Sequence, residues 1–126
     1  MLSTAVQLAR ENPVHKFKFG AVISTKRNKI ISTGQNSFSR THPLQARYGK
    51  KHIHEDACFV HAELASIIKA RGKGHTLWVA RVKLTDEIGL AKPCPSCMAV
   101  IQNETELKKI VYTINNNEHG VIEVVR

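Results

Sequence analysis

Apolar residues along this chain fall into short blocks whose spacing switches between the helix period and the strand period. Ser3 to Arg10 predicts a short helix, with Ser3 or Thr4 available to cap it and Asn12-Pro13 to stop it. Phe19 to Ser24 predicts a strand. Lys26-Arg27-Asn28 is a polar turn and Lys29 to Thr33 a second strand ended by Gly34, so the pair should form a hairpin. Residues 35–55 show no clear periodicity and contain Pro43 and Gly49; a loop of that length in a small domain is usually functional or mobile. From Ala57 to Arg71 the rhythm turns helical, with His61, Leu64, Ala65 and Ile68 on one face, and Gly72 and Gly74 end the run. Thr76 to Val82 predicts a third strand. Pro93-Cys94-Pro95 opens a helix that runs to about Asn103, since proline is welcome in a first helical turn. Lys109 to Ile114 predicts a fourth strand, Asn115 to Gly120 a turn, and Val121 to Val125 a fifth strand. Helices interleaved with strands, without internal repeats, predict one α/β layered domain over residues 1–126.

Composition narrows the class. The chain has 126 residues, 42% hydrophobic and 23% charged, which is ordinary globular usage and long enough to fold without disulfides. No apolar run approaches the roughly 20 residues of a membrane span, and Met1 to Arg10 lacks the pattern of a signal peptide, so a cytoplasmic protein is expected. Three cysteines in such a setting favour a metal or reactive role over a disulfide framework. The net charge is +9, and its placement is one-sided. Residues 1–54 hold ten basic residues and one acid, Glu11, whereas residues 55–126 hold nine of each sign. Arg40, Arg47, Lys50 and Lys51, with three histidines and no acid, crowd the stretch from Arg40 to His54. Such a block attracts phosphate, whether on a nucleotide or on single-stranded nucleic acid; the plainer alternative is a solvated face that keeps the protein soluble.

Two short motifs carry the chemistry. The first is His61-Ala62-Glu63 and the second Pro93-Cys94-Pro95-Ser96-Cys97, each followed by a helical segment. Cys94 and Cys97, three apart, share a face of the first helical turn, so both sulfurs can reach one ion. The free N–H groups and dipole of a helix N-terminus favour the thiolates that bind zinc. His61 can add a nitrogen, and three protein ligands leave the fourth tetrahedral position open, as in catalytic sites. Glu63 is too near His61 in sequence to be a comfortable extra ligand but can reach a bound water. The alternative is a closed structural site with Cys58 as fourth ligand, which would leave Glu63 without a task.

The pair of motifs, H-x-E followed by P-C-x-x-C, resembles the zinc deaminase signature. With the order helix, hairpin, helix, strand, helix, strand, the chain resembles the cytidine and deoxycytidylate deaminase superfamily over roughly residues 1–114. The resemblance implies a three-layer sandwich with a mixed central sheet of about five strands flanked by helices. It implies Zn2+ as cofactor, held by His61, Cys94 and Cys97, and Glu63 as the proton-shuttling acid/base while activated water attacks an amino-bearing ring carbon and ammonia leaves. The glycine-x-asparagine of Gly34-Gln35-Asn36 makes Asn36 a candidate sugar contact; Ala62, Arg40 and His42 are the other candidate substrate contacts, Arg40 for a phosphate. His52, His54 and Cys58 are candidates for a second, structural zinc, with free side chains and a buried thiol as the plainer alternative. The expected substrate is a small nucleotide, deoxycytidylate first. Free cytidine or deoxycytidine, a polynucleotide base and a purine ring stay open, as does a non-catalytic zinc-stapled module that binds nucleic acid. A hairpin-like end after the fourth strand would resemble the free cytidine deaminase branch more. Relatives commonly assemble, so a homo-oligomer is expected.

Overall fold

The computed structural model describes residues 1–12, 18–36 and 61–125. Among the described residues, three helices and six strands follow one another as α1 (Leu2–Glu11), β1 (Lys18–Ser24), β2 (Ile30–Gln35), α2 (Ala62–Ala70), β3 (Thr76–Val82), β4 (Ile88–Gly89), α3 (Pro95–Glu104), β5 (Lys109–Thr113) and β6 (His119–Glu123). The strands form one mixed sheet in the order β2-β1-β3-β5-β6, with β4 paired to β3. The β1–β2, β1–β3 and β5–β6 pairs are antiparallel, and β3–β5 is parallel. A parallel neighbour cannot be reached by a tight turn, and α3 supplies the crossover between β3 and β5.

The central strands bury both faces, so their side chains sort by alternation. Ala21, Ile23, Leu77 and Val79 pack with Leu64, Ile67, Val100 and Ile101 of α2 and α3. Val22, Ala80 and Val82 pack with Ala5, Val6 and Ala9 of α1 on the opposite face. These two apolar clusters make the three layers. α1 lies so close to β1 that a Cβ on Gly20 would strike the Ala5 carbonyl and come within 2.7 Å of the Ala9 nitrogen. α2 lies equally close to β2: a Cβ on Gly34 would stand 2.5 Å from the Ala62 carbonyl and 2.6 Å from the Ser66 nitrogen.

The structure corrects several element boundaries. Gly34, expected to end β2, lies inside it because the approach of α2 requires a residue without a side chain there. α1 is capped by Met1 without a side-chain hydrogen bond, and neither Ser3 nor Thr4 serves as its N-cap. His61 is extended at φ −82° and ψ 158°, so α2 begins at Ala62 and not at Ala57; residues 57–60 lie outside the described residues. At its other end Arg71 is left-handed at φ 55°, followed by Gly72 at φ 76°, and the amides of both return to carbonyls of the last turn. β4, two residues long, is too short for any periodicity to reveal. β6 starts at His119, two residues before the expected Val121. Gly120 was expected in the turn, but it pairs with Tyr112, whose ring lies over the space a side chain would fill.

Candidate active site

Two helix starts meet at the edge of the larger core. His61 is the N-cap of α2 and Cys94 the N-cap of α3, both in extended backbone, and Cys97 follows in the first turn of α3. The carbonyls of the two N-cap residues accept the first helical hydrogen bonds, from Ala65 at 2.9 Å and from Met98 at 2.9 Å. The ligand-bearing backbone is thus fixed by the helices themselves, and Pro95 at the start of α3 costs no hydrogen bond.

The His61 Nδ1 stands 3.3 Å from the Cys97 sulfur and 3.5 Å from the Cys94 sulfur. All three donor atoms lie within 4.8 Å of one another. A tetrahedral zinc with ordinary Zn–N and Zn–S bonds sets its nitrogen and sulfur ligands about 3.5 Å apart. The spacing and the donor chemistry, one imidazole and two thiols, therefore fit Zn2+ with three protein ligands among the described residues. With only protein groups around it, the Cys97 thiol is held well above its ordinary value, first by its hydrogen bond with Cys94 and then by burial and the nearby Glu63. A dication bound there would displace the thiol proton and favour the thiolate.

Glu63 sits in the first turn of α2 with 5% of its surface exposed. Burial pushes its carboxyl above the ordinary carboxylate range; the neighbouring His61 partly opposes this and Cys94 adds to it. The turn that carries Glu63 is held from behind. Ser66 Oγ donates to the Glu63 carbonyl at 2.7 Å, and Ser32 Oγ of β2 donates to the Ser66 carbonyl at 2.7 Å. Ala62, between ligand and carboxylate, is fully buried against β2.

The structure brings together His61, Ala62, Glu63, Cys94 and Cys97 from the sequence-level candidates. Asn36 follows β2, nearly buried, and its Oδ1 accepts from the Phe19 backbone N–H at 3.0 Å and from Asn12 Nδ2 at 2.6 Å. Arg40 and His42 lie outside the described residues, as do His52, His54 and Cys58, so neither the phosphate contact nor the second zinc nor the fourth ligand is placed. Phe19 is half-buried against the core under the Arg81 guanidinium, 5.9 Å from its ring centre. Trp78 is half-buried against the smaller core and donates its ring N–H to Ser24 Oγ at 2.8 Å. Asn12 was legible only as a helix stop; no periodicity signals that its side chain reaches Asn36 across 24 residues.

The family model described as the cytidine and deoxycytidylate deaminase zinc-binding region matches residues 1–114. Among solved structures, the 1.6 Å crystal structure of cytidine deaminase from Burkholderia pseudomallei superposes with a TM-score of 0.63 at 17% identity. The superposition covers 98% of this chain and 89% of that one, and it carries the fold, a mixed sheet of about six strands between helices. No curated protein matches the chain significantly. No helix among the described residues is long and apolar enough to cross a membrane.

Proposed function

The chain belongs to the cytidine and deoxycytidylate deaminase family of zinc-dependent enzymes, and we propose that it deaminates the cytosine of a mononucleotide, deoxycytidylate, to uracil with release of ammonia. His61, Cys94 and Cys97 hold the zinc. Zinc bound there supplies a Lewis acid that brings the pKa of water down to roughly 7. Glu63 is the catalytic acid/base: its carboxylate takes the two protons of the attacking water in turn, returning the first to the ring nitrogen of the base and the second to the departing amine. The new C–O bond forms first and the C–N bond to the protonated amino group then breaks, so one water is consumed for each ammonia released.

The observation that carries this reading is the buried Glu63, two residues past His61 and electrostatically coupled to Cys94. A carboxylate desolvated to this degree costs stability. A zinc knot that only staples a fold has no use for one beside its ligands. The raised carboxyl is also suited to the task, because a group that trades protons works best when its pKa moves toward the working pH.

The phosphate rests on charge. Ten basic residues against one acid in residues 1–54 favour a phosphate-bearing substrate over a bare nucleoside. A second reading, free cytidine or deoxycytidine, draws support from the antiparallel β5–β6 hairpin that closes the sheet and from the fold likeness to a cytidine deaminase. Ammonia release by the zinc-loaded protein, measured on deoxycytidylate with deoxycytidine as the paired control, separates the two. Rapid release from the nucleotide alone supports the proposal, and equal or faster release from deoxycytidine selects the second reading. Release from neither rejects both and turns the search to polynucleotides or purines; polynucleotide binding would betray itself by steep weakening with salt.

A further inference from the structure

Charge among the described residues is divided along the strands of the sheet. At one end α2 and α3 begin and carry the zinc ligands. At the other end both helices finish, β1 turns into β2, and β3 and β5 start. A row of paired residues crosses this far end, from Ile30 through Ser24, Thr76 and Lys109 to Glu123. The connections beyond the row are tied to one another. The His75 N–H donates to the Ser24 carbonyl, the Lys108 and Lys109 N–H groups share the His75 carbonyl, and the Glu106 N–H reaches the Gly72 carbonyl. Three segments of this end are basic. Lys26, Arg27 and Lys29 occupy the β1–β2 turn, and Lys69, Arg71 and Lys73 the end of α2 and the residues after it. Lys108 and Lys109 lead into β5.

Eight of the thirteen described lysines and arginines are thus gathered at one end, against three acids, Glu104, Glu106 and Glu123. The other described residues carry five cations and five acids, so the positive excess lies wholly at the end away from the zinc ligands. None of the eight cations forms an ion pair with another described residue. Lys69 and Arg71 have an ordinary task, since cations offset the dipole at a helix C-terminus. Packing asks nothing of the other six, and their mutual repulsion costs stability. α2 is nine residues long, which sets this surface roughly 14 Å from His61. Lys26, Arg27 and Lys29, part of the basic excess of residues 1–54, therefore lie away from the metal.

We propose that this basic end is a docking surface for the phosphate backbone of a nucleic acid, separate from the zinc site and independent of the reaction there. Arg27 and Arg71 can grip phosphate oxygens in pairs, and the lysines add point charges around them. No aromatic residue lies in the three segments, so no base finds a ring to stack on and the surface reads charge, not sequence. A membrane surface asks for an apolar face to bury among the cations. Here Val125 alone stands well out at 75% exposure, while Ile30, Ile31 and Ile68 are more than half covered.

The test titrates the zinc-loaded full chain into labelled oligothymidylate of about 20 nucleotides, which offers no cytosine to the zinc site. The expected result is binding that weakens about 10²-fold between about 50 and 200 mM salt, the slope of about five neutralised phosphates. Lys29→Gln with Lys73→Gln, one from each of two segments, should weaken binding about tenfold and flatten that slope. Lys83→Gln with Lys92→Gln removes the same charge near the zinc ligands and should weaken binding less than about twofold, because salt screens charges beyond about 10 Å. All four lysines are exposed, so both variants should melt as the wild type does. No binding at the lower salt, or equal weakening by the two variants, overturns the proposal. Binding to vesicles of anionic phospholipid that oligothymidylate fails to displace assigns the surface to a membrane and overturns it as well. The measurement does not pass through the zinc site, so a protein inactive on every cytosine nucleotide and nucleoside fails the proposed function and leaves this result standing.

Discussion

α1 and α2 are seated on the sheet by the same device and to different ends. Each is admitted by a strand glycine whose missing side chain lets helix backbone touch strand backbone, Gly20 beneath α1 and Gly34 beneath α2. The register sets these glycines side by side, Gly20 opposite Gln35 and Ala21 opposite Gly34. The difference lies in which part of the helix is seated. Gly20 meets Ala5 and Ala9, the middle of α1, and the contact serves packing. Gly34 meets Ala62 and Ser66, the first turn of α2, directly behind Glu63 and next to His61. A helix seated at its middle can tilt without carrying His61 or Glu63 with it. A helix seated at its first turn carries any displacement straight to the reacting groups.

The sharpest break of this contrast is at Glu63 itself. Glu63→Gln keeps the shape of the turn and removes the charge, so zinc content should stay unchanged while ammonia release drops by a factor of about 10² to 10⁴. Normal turnover in that variant would strip the α2 face of its chemistry. Next comes Cys97→Ser, in which zinc measured by atomic absorption should fall below one per chain after dialysis, with activity falling in proportion and only partly recovered by excess zinc.

The glycines come third, and they test the comparison most directly. Gly20→Ala and Gly34→Ala should each destabilise the protein by about 1–3 kcal/mol in chemical denaturation, as overpacking does. At a temperature where both remain folded, Gly34→Ala should also lose kcat, and Gly20→Ala should keep it. Equal kcat in the two would mean that the seat of α2 does not set the geometry of Glu63. The smallest effect is expected at the exposed Arg10–Asp86 pair, 3.4 Å apart, which ties α1 to the turn after β3. Asp86→Asn preserves a residue type that accepts the left-handed backbone at φ 68° and should change stability by less than about 0.5 kcal/mol.

The candidate site was more legible than the fold that holds it. His61, Cys94 and Cys97 could be read because zinc chemistry demands particular donor types at helix-turn spacing, and those residues are rare enough to stand out. Strands β1, β3 and β5 were readable because alternation or apolar runs persist over five residues or more. The parts that escaped depend on tertiary approach. Gly34 and Gly120 looked like punctuation, yet each is a strand residue emptied to make room, for α2 in one case and for the Tyr112 ring in the other. Nothing within a few residues of a glycine announces which neighbour will press on it. The Asn12–Asn36 contact escaped for the same reason, since it exists only once β1 and β2 have brought the two ends together.

The parallel pairing of β3 with β5 gives the metal centre a place in time as well as in space. His61 precedes β3 and the two cysteines lie between β3 and β5, so 33 and 36 residues separate the donor atoms in the chain. Such a set cannot preform in a local loop, as a compact cysteine-histidine knuckle can. Its entropy of closure is met only when the crossover has been completed and the non-local strands have joined. Uptake of zinc is therefore expected late on the route to the native chain: added zinc should slow unfolding by chemical denaturant while leaving the refolding rate nearly unchanged.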